Sequence, residues 1–291
     1  MQVSYFRLLC WIFTACVAAV TVIAFNKQDA KETFTFFPPD PAATYTSADT
    51  SLSLAKISAS ESYAVEWKAF STLNQKAYLR QDISLLFKNG RLTDGMGKWK
   101  TNAETLYQLK NLKENENALY EAITFHYSEI HRNDDTISSA QKLTNDTLYV
   151  LISPSTNAIG FQTPSSAEEK EWQSILNRAV GLVSSSTVRK AAASLNIEPQ
   201  NYESIALTGL PAYRDQTFPG LNKRQTRDAI GRLWEGIYKN YYLGIKKQNG
   251  TIVSPVGSTV PIILLSKTGN VLYLVFETKD GELIYLKQLT G

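Results

Sequence analysis

Beyond Cys16 the chain contains no cysteine, and both of its cysteines, Cys10 and Cys16, fall in one apolar run near the start. The rest therefore has no disulfide, no thiolate nucleophile and no cysteine metal site. Histidine is almost as scarce. His126 and His131 are the only two, five residues apart in a strand-like segment whose alternation sends them to opposite faces, so they cannot share one ion. Glu129, Asp134 and Asp135 nearby lack the spacing of a calcium loop. No metal and no cofactor is expected. G-x-S-x-G, H-E-x-x-H, P-loop and dinucleotide fingerprints are all missing. A strong charge excess is missing too. After residue 27 the chain carries 28 bases against 27 acids, a net of +1, which argues against a nucleic-acid partner.

Charge is also missing between Leu8 and Phe25, eighteen residues reading LLCWIFTACVAAVTVIAF between Arg7 and Lys27. As a helix this run would reach roughly 27 Å, close to a bilayer's hydrocarbon thickness. It reads as an uncleaved signal anchor, with a cleaved signal peptide or a lipoprotein acylated at Cys16 as weaker alternatives. The organisation expected is a cytoplasmic stub at 1–7, a single-pass membrane span at 8–25 in contact with lipid, a juxtamembrane spacer at 26–59, and an extracytoplasmic body at 60–291. That body divides into lobes 60–164 and 165–291. The absence of cysteine in it points to a bacterial cell envelope.

Within the body, Tyr63, Trp67, Phe70 and Tyr78 fall near one helical face, predicting an amphipathic helix from Glu61 to about Gln81. Thr101 and Glu104 have capping-box spacing, predicting a short helix to Leu112. Ile83–Lys88 and Arg91–Thr93 flank Asn89-Gly90, the favoured hairpin turn. Ala118–His131 and Thr147–Ser153 read as strands. Helices are predicted after Pro164, from about Ser186 to Leu195, and from Asn222, where Ile230, Leu233, Trp234, Ile237, Tyr238, Tyr241 and Ile245 form the best apolar stripe. Three strands joined by short turns, Val260–Ser266, Val271–Thr278 and Glu282–Gln288, predict an antiparallel meander. The fold class expected is α+β, with amphipathic helices packed on antiparallel sheet.

Three short motifs occur in the order S-x-x-K (Ser53, Lys56), S-x-N (Ser155, Asn157) and K-T-G (Lys267, Thr268, Gly269). This order is similar to that of the penicillin-binding proteins and serine β-lactamases. The resemblance implies Ser53 as nucleophile, Lys56 as its activator, Ser155 as proton relay and Lys267 as a carboxylate holder. The context opposes it. Ser53 falls in the spacer, a second S-x-x-K at Ser139–Lys142 shows how readily the pattern arises, and Lys267-Thr268-Gly269 has an ordinary role as a hairpin turn. No catalytic residue is assigned.

For binding, Trp234, Tyr238, Tyr241 and Tyr242 could line a glycan or peptide groove, although their spacing also suits a core face. Residues 222–247 carry seven bases and two acids, a charge that could meet an anionic polymer. The function expected is a membrane-anchored binding or accessory module acting through protein or envelope-polymer contacts, with an envelope serine hydrolase or acyltransferase as the alternative.

Overall fold

Along Tyr63, Val65, Trp67, Ala69, Ser71 and Leu73 every second side chain is buried, the period of a strand and not of a helix. The computed structural model describes residues 35–55, 62–132, 134–153, 156–214, 216–247 and 249–290. Its first half is antiparallel sheet: β1 (Tyr45–Ala55), β2 (Tyr63–Lys88), β3 (Arg91–Glu114), β4 (Ala118–His131), β5 (Ile137–Ser153) and β6 (Thr156–Phe161). β2 and β3 form a long hairpin whose turn, Asn89 at φ 51° and Gly90 at φ 78°, has the left-handed residues a tight hairpin needs. One edge of β2 pairs with β3. Its other edge pairs with β1 over the first half and with β4 over the second.

A register shift between Thr72 and Ala77 changes which face of β2 is inside. Odd residues face inward before it, and Arg80, Asp82, Ser84 and Leu86 do so after it. The ribbon folds over at this point, bringing its two halves face to face. Ser71 Oγ donates to Asp82 Oδ2 at 2.6 Å, Lys98 Nζ donates to the Tyr107 carbonyl at 3.0 Å, and Lys110 pairs with Asp94 at 2.5 Å. The result is a nearly closed barrel. One end of its interior is apolar, with Leu52, Val65, Trp67, Leu86, Tyr120, Leu148 and Val150. The other end is polar.

The second half forms a smaller layered unit. A capping box between Ser166 and Glu169 starts α1 (Ala167–Leu195), one continuous helix of 29 residues where two were expected. Then come β7 (Tyr202–Ala206), α2 (Lys223–Ile237) ending in a single π turn at Tyr238–Tyr242, the short pair β8 (Ile245–Lys246) and β9 (Ile252–Val253), and β10 (Ile262–Ser266), β11 (Val271–Glu277) and β12 (Leu283–Leu289). Strands β12, β11, β10 and β7 make an antiparallel sheet in that order. Ala191 of α1 covers one face through Ile262, Leu264 and Val275. On the other face Tyr241 packs edge-on to Phe276, and Gln288 Nε2 donates to the Ala229 carbonyl of α2. The far side of α2 packs on the barrel, where Trp234 stacks on Phe125 at 5.1 Å. Gly97 admits the Tyr242 ring, since a Cβ there would lie 2.3 Å from the phenol oxygen.

Two expectations are corrected. The body is mainly antiparallel β, not amphipathic helices on a sheet: the segments expected as helices at 61–81 and 101–112 lie in β2 and β3. Tyr63 and Trp67, four apart, share a face at either period, so they could not discriminate. Tyr78 does, because it is 57% exposed, where the helical reading put it in the core. The interval expected as spacer contains β1. The membrane and single-pass assignments are corrected as well. Among the described residues no helix is long and apolar enough to cross a bilayer, and residues 8–25, on which those assignments rested, lie outside the described residues.

Candidate ligand-binding groove

Between Ala140 and Leu148, β5 is paired on its β4 side alone, because β6 joins its other edge only from Tyr149. β1 passes along that open edge, and side chains close the seam. Thr50 Oγ1 meets Thr144 Oγ1 at 2.5 Å, and the Leu52 N–H donates to Asp146 Oδ2 at 2.7 Å. Nearer the polar end, residues 38–40 pair with Ser139 of β5. Burial alone would raise the Asp40 carboxyl, but hydrogen bonds from the Ala42 N–H, Arg132 and Ser138 outweigh it and hold it below the ordinary aspartate value.

Two cavities adjoin here and share Gln141, Lys142 and Arg227. The first, about 210 Å³, is bounded by Asp40, Tyr45 and Ser139. The second, about 190 Å³, has an apolar floor of Phe125, Leu143 and Ile230, with Tyr213 and Arg214 at its side. Gln141 Nε2 donates to the Arg227 carbonyl at 2.7 Å, while its Oε1 is buried with no partner. Neither the Lys142 ammonium nor the Arg227 guanidinium has a hydrogen-bond or ion-pair partner among the described residues, and both stand beside this apolar floor. Burial, followed by the hydrogen bond to Glu203, pushes the Tyr213 phenol up to about 12, so that ring presents no charge.

Behind the first cavity stands the Tyr45 ring, 6.0 Å from the ring of His126 and 5.0 Å from the Arg80 guanidinium carbon. Lys142 is the register partner of His126 and shares its face. Fully buried Arg80, Asp82 and His126 fill the polar end of the barrel. His126 Nδ1 is 2.7 Å from Asp82 Oδ2 and its Nε2 is 2.8 Å from Thr144 Oγ1. The distances match those of a carboxylate–imidazole–hydroxyl triad.

Hydroxyls continue the array along the seam. Thr50 Oγ1 donates to Thr124 Oγ1 at 2.6 Å, lies 2.5 Å from Thr144 Oγ1, and Thr124 Oγ1 is in turn 2.6 Å from Ser84 Oγ. Thr144 Oγ1 is shared between His126 and Thr50, so carboxylate, imidazole and hydroxyls form one connected network at the polar end of the barrel.

The residues singled out from sequence are dispersed. Ser53 is exposed on β1, Lys267 sits in the β10–β11 turn with its N–H on the Asn201 carbonyl, and no hydrogen bond or ion pair joins them among the described residues. Lys56 and Ser155 lie outside the described residues, as does the Asn157 side chain. Trp234, Tyr238 and Tyr241 are buried between barrel and sheet, and Tyr242 is half-buried against Gly97. His126 is inside the barrel, while His131 stacks on exposed Tyr78 at 3.8 Å and pairs with Glu129. Sequence reasoning missed Gln141, Lys142, Arg214 and Arg227 as a group. The base-rich composition of 222–247 signalled only the last. No protein-family model matches the chain, and no curated protein matches it.

Proposed function

We propose that this protein is a binding module, and that its ligand is a small organic anion held in the groove crossed by Gln141, Lys142 and Arg227. The observation that carries this is the pair of cations without counter-ions beside an apolar floor. A solvated ammonium or guanidinium beside an apolar wall is well placed to exchange water for an anionic group, which gains from the lower dielectric. The acid would sit between Lys142 and Arg227, and a compact apolar or aromatic group would cover Phe125, Leu143 and Ile230. The buried Gln141 Oε1 favours a ligand that also donates a hydrogen bond. Together the two cavities have the size usual for small-molecule sites.

Fluorescence titration with 8-anilinonaphthalene-1-sulfonate, which joins an anion to a flat apolar group, tests the reading. Lys142→Ala and Arg227→Ala should each weaken saturable binding by about tenfold, as loss of a charged hydrogen bond implies. Binding unchanged in both variants, or no saturable binding at all, would refute it.

A further inference from the structure

Helix α1 has three sides, and the fold uses two of them. Trp172, Leu176 and Val180 pack on the barrel, while Thr187 and Ala191 are buried against the sheet. On the sheet side Lys190 Nζ also donates to Glu277 Oε2 at 2.5 Å. The third side is turned to water. Along it Glu168, Ile175, Leu182 and Arg189 follow one another at intervals of seven residues. Seven residues make two helical turns to within about 20°, so the four lie in one row roughly 32 Å long. Ile175 is 47% exposed and Leu182 63%. Lone exposed apolar side chains are ordinary on a protein surface, but here two stand in register, closed at each end by a charge of opposite sign. Ala179, Ser186 and Ala193 keep the same side shallow, and Glu171 and Arg178 stand on its rim. Among the described residues none of Glu168, Glu171, Arg178 and Arg189 has a side-chain hydrogen bond or ion pair.

We infer that this row is the contact between two copies of the chain, packed as an antiparallel pair of α1 helices about a two-fold axis. The row reads acid, apolar, apolar, base. Reversed, it reads base, apolar, apolar, acid, so the pattern is its own complement. In a two-fold contact every pairing occurs twice. With the axis between Arg178 and Ala179, Ile175 meets Leu182 of the second copy and Glu168 meets its Arg189, each in both senses. Parallel packing would set Glu168 beside Glu168 and Arg189 beside Arg189, so charge selects the antiparallel sense. Glu171 comes within one turn of the same Arg189. Arg178 lies on the rim near its own copy, the one like-charge approach in this register, and exposed charges so placed contribute little. Pairing removes the Ile175 and Leu182 surface from water, and the small residues between them let the helices approach closely. A single helix pair lies at the small end of specific interfaces, so the dimer is a weak one. No residue of the anion groove belongs to α1, so the pairing does not rest on the ligand site.

Sedimentation equilibrium of the full chain tests this. The unaltered protein should show a concentration-dependent balance of monomer and dimer. Leu182→Asp should leave the monomer folded, because the position is exposed, and should weaken the dimer by more than about a hundredfold. Two leucine contacts are then lost and two carboxylates are set against apolar surface. Glu168→Arg and Arg189→Glu should each weaken it by about tenfold, since two ion pairs become two repulsions. The double variant Glu168→Arg/Arg189→Glu should return to within about threefold of the unaltered protein, a rescue that only the antiparallel register provides. A chain monomeric at every concentration would overturn the inference and leave the row to another partner or to water. A dimer indifferent to Leu182→Asp, or one that the double charge exchange fails to restore, would overturn it equally.

Discussion

The two ends of the barrel are built from the same strands and buried to the same degree, yet they hold together by different physics. At the apolar end Trp67, Val65, Leu86 and Tyr120 fill space, and each contributes in proportion to the surface it removes from water. At the polar end Arg80, Asp82, His126, Thr50 and Thr124 fill a chain of donors and acceptors. No member stabilises alone there, and each is needed because its neighbours would otherwise be orphaned. Apolar packing tolerates a change of partner so long as the volume is kept. A chain of buried donors and acceptors tolerates almost none.

Substitutions break or sharpen that contrast, and the largest effect is expected at the apolar end. Trp67→Ala should cost about 3–5 kcal/mol in chemical denaturation, the range for emptying a fully buried aromatic site. Trp67→Phe should cost distinctly less, because the indole Nε1 has no partner to lose. At the polar end Asp82→Asn keeps the volume and should still cost about 3 kcal/mol, since buried Arg80 loses the one carboxylate beside it among the described residues and Ser71 and His126 lose their acceptor or partner. Equal small losses for Asp82→Asn and Trp67→Phe would erase the distinction between the ends. Thr50→Val, again nearly isosteric, should cost about 1–2 kcal/mol by interrupting the chain between Thr144 and Thr124.

Smaller effects separate burial from binding. Burial raises the Glu121 carboxyl, and the Thr208 hydroxyl offsets this only in part. Its folded value lies above the unfolded one, so its ionisation opposes folding as pH rises above the ordinary glutamate value of 4.5. Glu121→Gln should therefore raise Tm at neutral pH and lose that advantage in acid. An advantage that grows in acid would show the sign to be wrong. Lys142→Ala should change stability by no more than about 0.5 kcal/mol while weakening the anion, placing it in the groove's chemistry and outside the fold's.

Much of the β structure was legible wherever a strand kept one parity. Residues 118–131 are rich in aromatic and β-branched side chains with no glycine, proline, asparagine or aspartate among them, and β4 spans Ala118–His131. Asn89-Gly90 names its turn by itself, because few residues accept positive φ. The Ser166–Glu169 box, a local contact, marks where α1 begins. β2 was not legible for two reasons. Its Ala, Glu, Lys, Gln and Leu are good helix formers, and the shift near Thr72 changes the buried parity midway, which removes the period that would have identified a strand.

What the sequence alone determined is local: turn chemistry, helix starts, alternation within an unbroken strand, and the opposite facing of His126 and His131. The tertiary structure alone decided what those pieces do together. His126 meets an aspartate 44 residues away, and Gln141 meets Arg227 across 86. Neither pairing leaves a trace in spacing, because the fold of the β2–β3 ribbon and the seating of α2 against β4 set which residues become neighbours. The physical reason is the range of the forces involved. Backbone preference and capping act within a turn of chain, whereas a buried charge or an anion groove exists only after distant strands have excluded water between them.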